Sequence, residues 1–434
     1  MDLSIAPHSF LPIDLPISRE GLNPEPCYLS SGIPVYAFPS STNDVVMVEL
    51  FFRHAGSAYQ SKPLVAGLTN MLLTEGTHEL TATQIAEQQD YCGAVINKNS
   101  TRDHAYISLF TLEKHVQSLL PLLKSLVTDA AFEEKQVSWH LEKGKQQLLT
   151  SLQQTEFVAR RHFFAEVFGQ KHPYGSYAEA GDFDSVCSAD LKSFFQKHYR
   201  QGECQIFLAG NYNESVLQDL DKLFSDTHFS KDESGISLSE IAAFKPGRRL
   251  AAVENAVQAS LCVGRCIVPQ KQEDIYGLIV LNCLFGGYFG SRLMTNLREE
   301  KGYTYGVYSV MGGMEQQRYF MVASNVRAEF AEEAMQEIIV EMQKVRNELV
   351  TGKELTLAKN YLIGNYLRSI DGVFERAKLK KEQIAKQYPE DFFEQTVKAI
   401  KSVSPEQLQR LAQTYLQPDE MVQICAGNET IAFQ

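Results

Sequence analysis

Residues 63–77 read PLVAGLTNMLLTEGT: a run of apolar and small residues with no charge before Glu75, closed by Gly76-Thr77. A segment of this length and hydropathy bounded by Pro63 and a glycine reads as a helix packed in a core. It follows two strand-like segments, at residues 32–38 and 45–53, and precedes a shorter helix at 82–91. Next come two strands, 94–99 and 104–110, joined by a polar turn. Helical periodicity then fills 112–128, 133–154, 157–168 and 189–199, before a strand at 204–209 and a helix at 214–224. The rest of the chain runs through the same order. Strands at 250–254 and 259–267 precede helices at 275–285 and 291–300. Strands at 303–311 and 318–326 precede helices at 330–349, 353–367 and 374–387, and a helix at 405–415 leads to a last strand at 421–426. Each half closes on Ala-Gly-Asn, at 209–211 and 426–428, so the repeat is offset by 217 residues, half of the 434-residue chain. The pattern predicts a duplication.

Strand pairs followed by runs of helices give an α+β class: two homologous domains, each a largely antiparallel sheet covered by helices. A doubly wound fold would need regular strand–helix alternation. The domains are expected at 1–228 and 247–434, joined by a polar linker at 229–246. At 434 residues the chain exceeds a single hydrophobic core, and its 44% hydrophobic and 22% charged residues are ordinary for a globular protein. A formal charge of −12 offers no basic face for a phosphate backbone, so no nucleic acid is expected as a partner. The amino terminus has no basic n-region or continuous apolar h-region, and no apolar run reaches the ~18 to 20 residues that cross a bilayer. No membrane association is expected. Eight scattered cysteines without a CxxC pair fit reduced thiols in a cytoplasmic protein.

The second informative stretch is 286–311, GGYFGSRLMTNLREEKGYTYGVYSVM. With the helix at 63–77 it resembles the pitrilysin/insulinase (M16-like, inverted-zincin) peptidases over essentially the whole chain. The zinc helix of that family reads roughly G-L-A-H-L-L-E-H-M-L-F-K-G-T. Aligned on the closing Gly76-Thr77, its first histidine falls on Gly67, its glutamate on Asn70 and its second histidine on Met71. The family's distant glutamate ligand falls at Gln146 and Gln147, in FEEKQVSWHLEKGKQQL. Catalytic zinc needs two imidazoles at i and i+4 with a carboxylate between them as base. A hydrogen atom, an amide and a thioether do not supply that set, and no metal or other cofactor is expected in this chain.

In active relatives an arginine, and a tyrosine seven residues later, reach from the second domain to the bound peptide. Arg298 and Tyr305 keep that spacing. A guanidinium and a phenol can hydrogen-bond a scissile carbonyl and the oxyanion that develops from it. The residues alone also permit plainer roles: Arg298 as a helix-end cation paired with Glu299, and Tyr305 as a strand aromatic sharing one face with Tyr303 and Val307. The resemblance favours Tyr305 over Tyr303. The Gly286–Gly290 loop lacks the lysine and hydroxyl of a nucleotide site. All ten histidines precede residue 229, and no pair has i,i+4 helical spacing. His78 and His140, flanking the altered helix, leave a rearranged metal site open.

The resemblance therefore implies a non-zinc subunit that is inactive alone. It would pair with a zinc-bearing M16-like chain, which carries the zinc, or form a homodimer, and help bind and orient a peptide substrate. The alternative is a structural or peptide-binding scaffold, like the metal-free core subunits of respiratory complexes.

Overall fold

The computed structural model describes residues 23–42, 44–227, 245–431 and 433, so the expected linker lies outside the described residues except for Lys245 and Pro246. In the first half, β1 (Cys27–Tyr28), β2 (Pro34–Pro39) and β3 (Val45–Phe52) precede α1 (Val65–Leu72) and α2 (Ala82–Cys92). Then come β4 (Val95–Ser100), β5 (Ala105–Leu112), α3 (Glu113–Thr128), α4 (Glu134–Ser151), α5 (Thr155–Phe168), α6 (Ser188–Phe195), β6 (Cys204–Gly210) and α7 (Glu214–Phe224). The second half begins with β7 (Gly247–Ala252), β8 (Gln258–Ile267), α8 (Asp274–Asn282), β9 (Thr304–Gly313) and β10 (Arg318–Arg327). It continues through α9 (Ala331–Asn347), α10 (Gly352–Ser369), α11 (Val373–Ala385), α12 (Phe392–Ser402), α13 (Pro405–Tyr415) and β11 (Val422–Gly427).

The first sheet has the order β1-β2-β6-β3-β5-β4 and the second β7-β11-β8-β10-β9. Leaving β1 aside, the two orders are the same. In each, one parallel pair (β2 with β6, β7 with β11) joins an otherwise antiparallel sheet. Helices α3, α4, α5 and α6 and strand β6 begin 217 or 218 residues before α9, α10, α11, α13 and β11. The fold is thus α+β with two sheets, and the duplication is visible in its topology.

Strand β3, VVMVELFF, is apolar throughout because both its faces are covered. Val46, Val48, Leu50 and Phe52 face the helices of the first half, whereas Met47 and Phe51 lie in a separate cluster with Phe38, Phe207, Ala377 and Ala385. That second cluster shows an exchange. Helix α11, from the second half, packs on β2 and β6 of the first sheet, and α5, from the first half, packs on β8 and β11 of the second. Val158, Ala159, Phe163 and Phe168 of α5 are buried with Cys262, Ala323, Ile424 and Ala426. Polar contacts follow the same crossing: Thr155 and Ser260 hydroxyls lie 2.7 Å apart, Arg160 donates to the Tyr308 hydroxyl at 2.8 Å, and Lys381 pairs with Glu49 at 2.7 Å.

The Ala-Gly-Asn signature has a physical cause in the first half. Gly210 has φ +114°, and a Cβ there would lie 2.0 Å from the Val45 carbonyl oxygen. Gly427 has no such φ, and its Cβ would meet only the side-chain tip of Ile431 and the edge of Ala259. Gly210→Ala should therefore destabilise by well over ~1 kcal/mol, and Gly427→Ala by less. Urea denaturation of both variants measures the difference.

Some elements depart from the sequence reading. The helix expected across 63–77 is confined to α1, because Leu64 takes a left-handed φ of +77° and Gly76 and Thr77 instead bridge to Thr81 and Ala130. Helix α12 was not anticipated; Pro389 and the charges around it mask an amphipathic turn that buries Thr396, Val397 and Ile400. Helix α13 matches its expected bounds. Its Pro405 sits at the first turn, and Ser404 and Gln407 cap each other reciprocally.

Candidate functional site

The α1 helix presents Gly67 and Met71 outward. Met71 is 50% exposed, and a Cβ added at Gly67 would meet nothing within 4 Å. Asn70 points the other way. It is 3% exposed, and its amide nitrogen donates to the Tyr106 carbonyl (3.3 Å) and the buried Tyr199 hydroxyl (3.1 Å). Gln146 and Gln147, on α4, are exposed. Asn70 is thus committed to the core, while the four neighbouring positions offer an open backbone, a thioether and two amides. These side chains do not fit a zinc ion, which takes imidazole, thiolate or carboxylate ligands. Among the described residues no group of three or more His, Cys, Asp or Glu is placed to hold a metal. Asn70→Ala should cost about 1–3 kcal/mol by leaving the Tyr199 hydroxyl without its partner, measurable as a lower urea midpoint.

A cation that sequence reasoning did not single out closes this end of α1. Lys98 of β4 donates to the Met71 carbonyl and the Thr74 hydroxyl. Burial lowers its pKa, and the nearby Glu75 carboxylate opposes that shift. An ammonium at a helix C-terminus is favoured by the exposed carbonyls there. Period-two alternation in INKNS, which turns Lys98 towards the helices while Asn97 and Asn99 face away, was the available signal. His140 Nε2 lies 3.7 Å from Glu75 on the same side, and His78 pairs with Asp129 at 2.8 Å, so the two flanking histidines have separate carboxylate partners.

Arg298 lies on a wide helical turn, Met294–Glu300, packed against β9. Its guanidinium sits 4.5 Å over the ring of Phe289, itself 62% exposed. The pairing with Glu299 is not formed; the aromatic face takes the cation instead. Tyr305 is 94% exposed, on the edge strand of the second sheet. Its expected alignment with Tyr303 and Val307 fails for a definite reason. Ser324 pairs with Val307 and Val326 with Thr304, so Tyr305 and Gly306 together oppose one residue of β10. This bulge interrupts the alternation, burying Thr304 and Val307 and turning Tyr305 to solvent. Tyr303 is engaged elsewhere, stacked on Phe330 at 4.8 Å. The chain brings Arg298 and Tyr305 to the same β9 margin. Among the described residues no hydrogen bond or ion pair links either of them to Gly67, Asn70, Met71, Gln146 or Gln147.

The β9–β10 hairpin that carries Tyr305 is anchored at its tip in the first half. Glu315, whose side chain is 2% exposed, accepts hydrogen bonds from Arg53 (2.7 Å) and Gln387 (2.6 Å), with the Tyr59 hydroxyl at 3.4 Å and His54 Nε2 at 3.6 Å. The Glu315 amide donates to Asp103 (3.0 Å), which also receives the Tyr174 hydroxyl. Burial alone would raise the Glu315 pKa, but His54, Arg53 and Gln387 outweigh it and hold the carboxyl at about 2. Asp103 shifts the other way, raised chiefly by burial.

These features define a duplicated two-sheet α+β protein whose halves exchange one helix and whose first-half helix lacks zinc ligands. Residues 185–362 match the family described as Peptidase M16 inactive domain. Curated relatives include the uncharacterized zinc protease YmxG of Bacillus subtilis, 24% identical over 322 residues (73% of this chain, 77% of that protein). Another is the non-peptidase homolog YmxG of Helicobacter pylori, 24% identical over 331 residues (73% and 74%). A crystal structure of a peptidase M16 inactive domain from Pseudomonas fluorescens has the same fold, with a TM-score of 0.83 at 23% identity over 94% of this chain and 99% of that one. The chain belongs to the M16-like family. No helix among the described residues is long and apolar enough to cross a membrane.

Proposed function

We propose that the chain is a zinc-less subunit of a cytoplasmic M16-like peptidase assembly. It pairs with a zinc-bearing M16-like chain and uses Arg298 and Tyr305 to bind and orient peptide for hydrolysis on that partner. The observation that carries this reading is the idleness of the pair within its own fold. Tyr305 is turned almost wholly to solvent by a bulge, and Arg298 beside the same strand has no carboxylate partner. A phenol and a guanidinium left free on an edge strand are suited to donate to a carbonyl brought by another chain. Extended peptide could add to a sheet edge through main-chain hydrogen bonds.

The purified chain is expected to cleave no peptide alone and to restore cleavage when mixed with an M16-like chain bearing an intact His-x-x-Glu-His helix. Chelator-sensitive cleavage by the lone chain, with stoichiometric zinc in elemental analysis, would overturn the reading. A second reading, a non-catalytic scaffold, is favoured by the exposed apolar side chains Met71 and Trp139 on α1 and α4, which suit a permanent protein contact. Stable assembly with a zinc-bearing chain whose turnover is indifferent to Arg298 and Tyr305 is the result that reading requires.

A further inference from the structure

The exchange of α11 leaves part of the first sheet uncovered. Between that helix and the outer strands lies a cleft of about 830 Å³, lined along its floor by Tyr106, Ser108 and Phe110 of β5 and along its wall by Phe374, Lys378 and Lys386. Asn97 and Asn99 face it from the edge strand β4. Neither Arg298 nor Tyr305 lines it, so it is a separate feature from the site above and does not depend on the reading given there.

Several polar groups in this cleft have nothing to bond. Ser108 is 2% exposed yet makes no side-chain hydrogen bond among the described residues, and the amides of Asn97 and Asn99 make none either. His104 Nδ1 is buried without a partner. Polar groups in such places ordinarily have partners, and unmet ones mark sites where something else binds. The charges are uneven in the same way. The acids at the base are already engaged: Glu49 by Lys381, Glu315 by Arg53 and Gln387, and Asp103 by Tyr174. Lys386 has only the distant Tyr388 ring, at 5.9 Å, and Lys378 reaches Glu375 at 3.9 Å. The positive field at this end also contributes, after burial, to holding His104 neutral, with its pKa lowered to about 4.

We propose that this cleft binds an extended acidic peptide segment, with a carboxylate at Lys386 and Lys378. The peptide's amides would meet Ser108, Asn97 and Asn99, and its side chains would lie between Tyr106, Phe110 and Phe374. From Phe374 to Lys386 the helical wall is about 18 Å long, which spans roughly five residues of extended chain. A small anion would use the lysine end alone and leave the alternating amide and aromatic row empty.

The test is fluorescence anisotropy of a short labelled peptide alternating aspartate with tyrosine, compared with its asparagine counterpart and with inorganic phosphate as competitor. The aspartate peptide should bind about tenfold tighter than the asparagine one, and Lys386→Gln and Asn99→Leu should each weaken it by several-fold to about tenfold. Both positions are at the rim, so circular dichroism of the variants should match wild type. Arg298→Ala and Tyr305→Phe should leave this binding unchanged. Equal binding of the two peptides, indifference to Lys386→Gln and Asn99→Leu, loss through Arg298→Ala, or displacement by phosphate at the peptide's own concentration would each overturn the proposal.

Discussion

Glu315→Ala is expected to lower the unfolding free energy by about 3–5 kcal/mol, the usual result of removing one member of a buried ion pair. The pair is buried on both sides: Glu315 is almost fully enclosed, and Arg53 is only slightly exposed. Without the carboxylate, Arg53 keeps a positive charge in the interior and only the more distant Glu203, 3.6 Å away, to answer it. The loss should be global, since the hairpin tip ties β9 and β10 to Arg53, Asp103 and Tyr174 of the first half. Urea denaturation measures it, and a variant within ~0.5 kcal/mol of wild type would show that the tip does not hold the halves together.

The same carboxylate sets a pH dependence with a definite sign. Its folded pKa of about 2 lies below the ordinary value of 4.5, so its contribution is present above pH 4.5. It is lost as pH falls from about 5 towards 2, amounting to roughly 3 kcal/mol. Asp103, held above the usual carboxylate range by burial, runs the opposite way and offsets part of this loss. Glu315→Gln should therefore show a flatter acid limb than wild type, and identical limbs would remove Glu315 as its cause.

Arg298→Ala is expected to lower kcat about a hundredfold in the reconstituted assembly, the scale of losing one donor aimed at a developing oxyanion, and Tyr305→Phe about tenfold or more. The free chain should keep its stability within ~0.5 kcal/mol in both variants, because neither side chain supports the core of its own half. A rise in KM at unchanged kcat would assign the pair to ground-state binding instead. Wild-type turnover in both variants would remove them from the site.

Much of the architecture was legible because it is periodic. Apolar alternation in 45–53, the helical faces of 112–128 and 405–415, and the repeated Ala-Gly-Asn all report local geometry, and local geometry is what a hydropathy pattern encodes. The site was legible only as residue types. Spacing identified Arg298 and Tyr305, but two-residue alternation misassigned the Tyr305 face, because a bulge depends on how β9 pairs with β10 and leaves no mark in either strand alone. Glu315 gave no signal at all: one acid in a Met-Glu-Gln-Gln turn looks solvated until Arg53, Asp103 and Gln387, each distant in sequence, converge on it.

By itself the sequence determined that the chain is two copies of one α+β plan, and that glycine, asparagine and methionine stand where the family's zinc helix has its ligands and base. Only the tertiary structure decided that α5 and α11 change places, that the first sheet keeps an open cleft, and that one buried carboxylate joins the halves. The reason is that an apolar stripe specifies that a helix must be covered, while the choice of sheet is made by shape and chain path over hundreds of residues.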